Sequence, residues 1–178
     1  MTFEVLRVLR EHGAAVHCLV NSWGSSAVVP LAMDIGATWS PAHYQAPMRR
    51  RGLSTAAVVN LAWDVARTSA VLWRDARALP ATHVLVPDFV AVLRNLPALA
   101  LLRAGGTTIV MRVGNAPDNS RFYRRIWRWA IAPLVDSMLA NSRFTAAALH
   151  DVGVPPRKVA VIGNTAPTRP HTGVAAPF

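Results

Sequence analysis

Cysteine, lysine and glutamate are almost missing from this chain. Cys18 is the only cysteine in 178 residues. That excludes an internal disulfide and a cysteine-based zinc site, and it fits a reducing compartment. Lysine occurs once, at Lys158, and glutamate twice, at Glu4 and Glu11. Long apolar runs are missing as well: nothing approaches the roughly 18 consecutive apolar residues of a membrane-spanning helix. Glu4, Arg7, Arg10 and Glu11 interrupt the start where a secretion signal needs an unbroken apolar stretch. The expected setting is therefore cytoplasmic. No G-x-G-x-x-G, Walker A, H-E-x-x-H or G-x-S-x-G pattern occurs, which removes support for dinucleotide oxidoreductases, P-loop NTPases, zincins and typical α/β-hydrolases. Gly105-Gly106 precedes a strand-like run and is placed to end a helix rather than to cradle a pyrophosphate.

Apolar residues make up 52% of the chain and the mean hydropathy is +0.27, enough for a substantial core and against intrinsic disorder. Nineteen basic residues oppose nine acidic ones, a net charge of +10, and all the basic residues but Lys158 are arginine. The planar guanidinium fork suits phosphate and carboxylate, so the excess points to anionic partners: nucleotides, phospholipid headgroups or nucleic acid. A general preference for arginine over lysine would explain the arginine share, but not the shortage of acids.

Strand-like and helix-like patterns alternate along the chain. Helices are expected over residues 2–12, 54–79, 91–104, 121–133 and 143–153. Strands are expected over residues 14–20, 82–86, 107–113, 135–140 and 158–162, with weaker strand signals at 28–33 and 37–40. Residues 49–52 read as a basic loop and residues 165–178 as a proline-rich linker or tail. This alternation predicts a parallel, Rossmann-like α/β sheet with helices on both faces and right-handed crossovers. In such folds ligands bind beyond the carboxyl ends of the strands, which directs attention to the loops at 87–88, 114–120 and 141–142.

Two patterns carry chemistry. The loop 114–120 joins a strand end to a helix start, and its polar side chains could receive a phosphate or sugar hydroxyls; Asp118, Asn119 and Ser120 are equally ordinary turn and capping residues. The helix 121–133 is expected to bury Phe122, Ile126, Trp129, Ala130 and Pro133, and to present Arg121, Arg124, Arg125 and Arg128 on another face. Those arginines either solvate a surface helix or lie on anionic lipid. Nucleic acid is not expected, because no recognised module accompanies the helix. His17 and His83 are expected as packed or edge residues, and no histidine pair has metal-ligand spacing.

Residues 135–164 resemble the end of the N-terminal domain of a family-four-like glycosyltransferase of the GT-B fold. The resemblance rests on an ordered string: Asp136 near a strand start, Ala140-Asn141-Ser142, Gly153-Val154-Pro155, Lys158-Val159, and an apolar run ending at Asn164. It implies a domain over residues 1–164 that is the acceptor-side half of a two-domain enzyme, with the linker at 165–178, its first strand missing, and the donor-binding domain absent. Asn141, Ser142 and Gly153 are expected in structural roles, and Asn164 at the hinge into the second domain.

The resemblance further implies a metal-independent, retaining transfer of a sugar from a nucleotide-sugar to a glycan or lipid-linked acceptor, possessing no cofactor beyond that co-substrate. As an isolated fragment the chain is expected to be inactive, and a lipid-handling enzyme of this kind would lie on the inner face of the membrane. Candidate substrate contacts are Asp88 for acceptor hydroxyls, Arg112 for a phosphate and Asn115 for a hydroxyl. The family's E-x7-E pair has no counterpart here, and Arg112-Val113-Gly114-Asn115 stands where many relatives carry a histidine. Two alternatives remain open: a non-catalytic basic module that binds anionic lipid or a protein, and another doubly wound enzyme lacking standard motifs.

Overall fold

The computed structural model describes residues 2–21, 28–42 and 55–163. The basic loop at 49–52, Asn164 and the tail at 165–178 lie outside them. Among the described residues the strands form two parallel sheets. The smaller pairs β1 (His17–Asn21) with β2 (Thr38–Ala42), with His17 opposite Thr38 and Leu19 opposite Ser40. The larger runs in chain order through β3 (His83–Val86), β4 (Thr108–Val113), β5 (Ser137–Ala140) and β6 (Val159–Val161). Its register places Val86 opposite Met111, Val113 opposite Ala140, and Ala140 opposite Val161.

The large core follows from β4, whose side chains alternate along the strand. Ile109, Met111 and Val113 are buried, whereas Thr108, Val110 and Arg112 are half-buried on the other face. Crossovers of one hand between four parallel strands in chain order put every connecting helix on one face. The buried face accordingly meets side chains from α4 (Phe89–Arg94), α5 (Leu96–Ala104), α7 (Ala132–Leu134) and α8 (Arg143–Asp151), including Val92, Leu99, Leu134 and Leu149. A smaller core joins Ala32, Ile35 and Ala37 to Phe3 and Leu6 of α1 (Thr2–Glu11) and to Cys18 of β1. Burial pushes the Cys18 thiol above its ordinary range.

The long helix α3 (Thr55–Ala78) links the two sheets. Leu72 and Ala76 enter the large core, and Asp75 reaches Ser40 of β2. Cys18 and Leu19 point to opposite faces of β1; the first meets α1 and α2, the second meets the large core. Helices therefore cover both faces, as the alternation predicts.

Four expectations are corrected. Residues 28–33 are not a strand but the start of α2 (Val28–Asp34). Pro30 falls in its first turn, where an amide has no helical partner to lose, and Ala32 and Ile35 bury one face at a spacing of three. The expected single helix over 91–104 is two, broken at Asn95. Pro97 cannot donate to a carbonyl one turn back, and the Asn95 Nδ2 donates to the Ala91 carbonyl at 2.9 Å.

The expected helix over 121–133 divides into α6 (Arg121–Ile126), a π turn (Trp127–Ile131) and α7. Pro133 lacks the amide that would bond to the Trp129 carbonyl, and its ring would crowd that carbonyl; a widened turn relieves both. The fourth correction concerns the buried face. The buried stripe is Trp127 and Ile131, with Tyr123 and Ile126 half-buried, while Phe122 and Trp129 are 69% and 73% exposed.

Candidate functional site

All strands of the larger sheet are parallel, so the loops after β3, β4 and β5 share one edge. The first leaves β3 at Pro87. The Asp88 carboxylate caps α4, its Oδ1 accepting from the Ala91 amide at 2.8 Å. The next residue, Phe89, packs its ring 5.8 Å from Tyr123 and 5.1 Å from Trp127, which holds α6 against the start of α4.

The second and third loops are fastened together by Asn141. Its backbone amide donates to the Val113 carbonyl at 3.2 Å, and its Nδ2 donates to the Gly114 carbonyl at 2.6 Å. Its Oδ1 accepts from the Thr145 hydroxyl at 2.7 Å. Ser142 caps α8, its hydroxyl accepting from the Thr145 amide at 3.1 Å. The asparagine thus joins the β4 exit to the first turn of α8 through both ends of its amide.

Around that junction the candidate contacts divide. Arg112 is half-buried on the sheet face turned away from the core, with its guanidinium beside Gly114: a methyl on Gly114 would meet Nη2 at 3.6 Å. Asn115 is exposed at the rim. Asp118 is turned back to the Ser120 amide at 2.8 Å, closing the loop before α6. The structure gathers Arg112, Asn115, Asn141 and Ser142 around the β4 and β5 exits. Asp88 stands at the neighbouring β3 exit, and Asn164 falls one residue beyond the described chain.

The remaining residues of the string lie elsewhere. Asp136 and Lys158 are at the amino ends of the strands. The Asp136 carboxylate accepts from the Ile109 amide at 2.9 Å and from the Arg103 guanidinium. Partial burial pushes this carboxyl up, but the Ile109 amide and Arg103 outweigh it and hold it below the ordinary aspartate range. The Lys158 ammonium donates to the Ala132 and Val135 carbonyls at 2.6 and 2.7 Å, satisfying groups that α7 leaves open at its end. Burial and then the Arg103 charge lower the Lys158 pKa, with Asp136 opposing. Gly153 ends α8 at φ +94°, a conformation open to glycine, with the Arg128 side chain packed over it.

One polar cluster has no local signal in the sequence. His17 stands between two hydroxyls of β2, with Nδ1 2.8 Å from Thr38 Oγ1 and Nε2 2.8 Å from Ser40 Oγ. The Ser40 hydroxyl donates to Asp75, so it accepts from His17 Nε2–H, and Nδ1 accepts from Thr38. Arg74 closes the chain on Asp75 at 2.7 Å. Burial pushes the Asp75 carboxyl up, but Arg74 and Ser40 hold it below the ordinary range. Asp75 stands 3.6 Å from His17 Nε2, on the Ser40 side, and Thr38 meets Nδ1, so among the described residues the carboxylate–imidazole–hydroxyl order that activates a nucleophile is not formed. The cluster fastens α3 to the small sheet.

A groove of about 510 Å³ between α3 and α5, lined by Trp73, Arg77, Leu102 and Gly106, opens at the amino ends of β3 and β4. It lies at the end opposite the rim. Among the described residues no cluster of three His, Cys, Asp or Glu could hold a metal ion, and no helix is long and apolar enough to cross a membrane.

Two solved structures share the fold. HepE from Anabaena, crystallised with UDP and glucose, superposes with a TM-score of 0.60 at 14% identity, covering 92% of this chain and 39% of that one. MurG from Acinetobacter baumannii superposes with a TM-score of 0.56 at 16% identity, covering 93% of this chain and 42% of that one. The chain thus spans about two-fifths of the length of each. No curated protein matches the sequence. Residues 1–169 match the sequence model of Glycosyltransferase Family 4, and the chain belongs to that family.

Proposed function

We propose that this chain is the acceptor-side half of a retaining, metal-independent glycosyltransferase that moves a sugar from a nucleotide-sugar to a glycan or lipid-linked acceptor. The observation that carries the reading is the family match over residues 1–169 in a chain two-fifths the length of its structural neighbours. Residues 1–164 form the acceptor-side domain and 165–178 the linker to a donor-binding domain. Two parallel sheets joined through α3 support the view that a further strand belongs between them. The place of work is the cytoplasm, at the inner face of the membrane.

At the rim, Asn115 offers an amide to an acceptor hydroxyl. Arg112 offers a guanidinium to a phosphate of donor or acceptor. Asp88 keeps one carboxylate oxygen beyond its capping bond and accepts from a hydroxyl. Asn141 and Ser142 position the rim instead of contacting the substrate, because their side chains are committed to Gly114 and Thr145. Charge developing on the leaving diphosphate needs fixed donors, and in this reading most of them belong to the other domain.

The isolated chain is expected to turn over no nucleotide-sugar, with or without added magnesium or EDTA. Product formation from any nucleotide-sugar by the purified chain, lost in an Arg112→Ala variant, would contradict the half-enzyme reading.

A further inference from the structure

The face of α6 and its π turn that points away from the sheet combines charge with large apolar rings. Around the helix, at about 100° per residue, Arg124, Arg128, Arg121 and Arg125 follow one another on the exposed arc, and Trp129 and Phe122 continue it. All six side chains are exposed. Arg128 stacks its guanidinium 5.5 Å from the Trp129 ring. The same Arg128 packs over Gly153 at the end of α8, so α8 is the neighbouring helix.

No acid interrupts residues 119–135. Of the flanking acids, Asp118 is turned to the Ser120 amide and Asp136 to Arg103, and Asp151 is an exposed acid two residues before the Gly153 that Arg128 covers. At the same angular spacing Tyr123, Ile126 and Trp127 share the opposite side, and Trp127 is buried at 2% exposure. A tryptophan and a phenylalanine left in water side by side cost solvation free energy and mark a surface that something covers.

We propose that this face docks on an anionic phospholipid bilayer. The rings enter the boundary between headgroups and acyl chains, and the flanking arginines pair with the lipid phosphates. Rings beside arginines match the two layers of a bilayer surface. The loop 114–120 leads directly into α6, so docking brings the rim to the membrane surface. The inference rests on exposure and charge and stands apart from the transferase reading.

The test is flotation of the full chain with phosphatidylglycerol-containing vesicles and with pure phosphatidylcholine vesicles. Binding to the first and not the second is expected, and it weakens with salt. Arg121→Gln, Arg124→Gln, Arg125→Gln and Arg128→Gln combined should weaken it by about fivefold per arginine, on the order of several hundredfold in all. Phe122→Ser with Trp129→Ser keeps the charge; it should abolish quenching of tryptophan fluorescence by bromine-labelled acyl chains and weaken flotation, leaving heparin retention unchanged. These residues are exposed, so circular dichroism should report an unchanged melting temperature. Failure of the parent chain to float with anionic vesicles overturns the proposal. So does flotation indifferent to the paired serine variant, which would leave charge attraction alone and no insertion of the rings.

Discussion

The two sheets use the same parallel pairing but are held by different means. The four-stranded sheet rests on large apolar side chains, with Leu99, Ile109, Met111, Ile131, Met138 and Leu149 all inaccessible to solvent. The two-stranded sheet has Ala32, Ile35 and Ala37 on one side and the chain Thr38–His17–Ser40–Asp75–Arg74 on the other. Burial of apolar area outweighs net hydrogen bonding per residue, so the larger sheet should govern global unfolding. The smaller one, with fewer and smaller apolar contacts and a tie to α3 through directional bonds, should open first.

The largest expected effect is in the large core. Leu149→Ala should cost about 2–5 kcal/mol, measured by denaturant unfolding, with Ile35→Ala at the low end of that range because its small cluster has fewer neighbours to lose. Equal costs would break the comparison. Next comes Asp136→Ala, which leaves the buried-edge Ile109 amide without its acceptor and should cost about 1–3 kcal/mol. Because the folded carboxyl is depressed, its contribution is full above the ordinary aspartate pKa of about 3.9 and is lost as pH falls below it. The acid limb of a melting-temperature profile should therefore flatten in the variant.

Ser40→Ala should cost about 1 kcal/mol and act locally. Amide exchange should speed up at β1 and stay unchanged at β4 and β5; uniform loss of protection would mean that the two sheets open as one. The smallest effect is expected from Asn141→Ala, about 0.5–1.5 kcal/mol, with faster exchange confined to residues near Gly114 and the first turn of α8.

The sequence was most legible where its determinants are close together. The β-branched run at 107–113 and the string at 135–164 place β4, β5, α8 and β6 within a residue or two of their observed bounds, and strand-exit loops follow from parallel order alone. Three features escaped periodicity. The π turn shifts the phase of one helix because a single proline removes one bond. The strand signal at 28–33 rests on Val28 and Val29, whose stiffness a first helical turn tolerates once Ala32 and Ile35 find a core. The fastening of α3 draws on residues 17, 38, 40, 74 and 75, and no local pattern links positions so far apart. At the rim, polar residues at strand exits were recognisable. The use of Asn141 as a clamp was not, because it depends on where a neighbouring strand ends; the Asp88 cap is local, and it was hidden because the helix was expected to begin at 91 and begins at Phe89.

The central claim is that the carboxyl-end rim, not the groove at the opposite end, receives a sugar-bearing acceptor. Nitrogen-15 chemical-shift mapping of the chain titrated with a short glycan, with and without a terminal phosphate, tests it most directly. The account predicts shifts at Asp88 and Asn115 for both ligands, with Arg112 responding to the phosphate. Shifts confined to Trp73, Arg77 and Gly106 would contradict it.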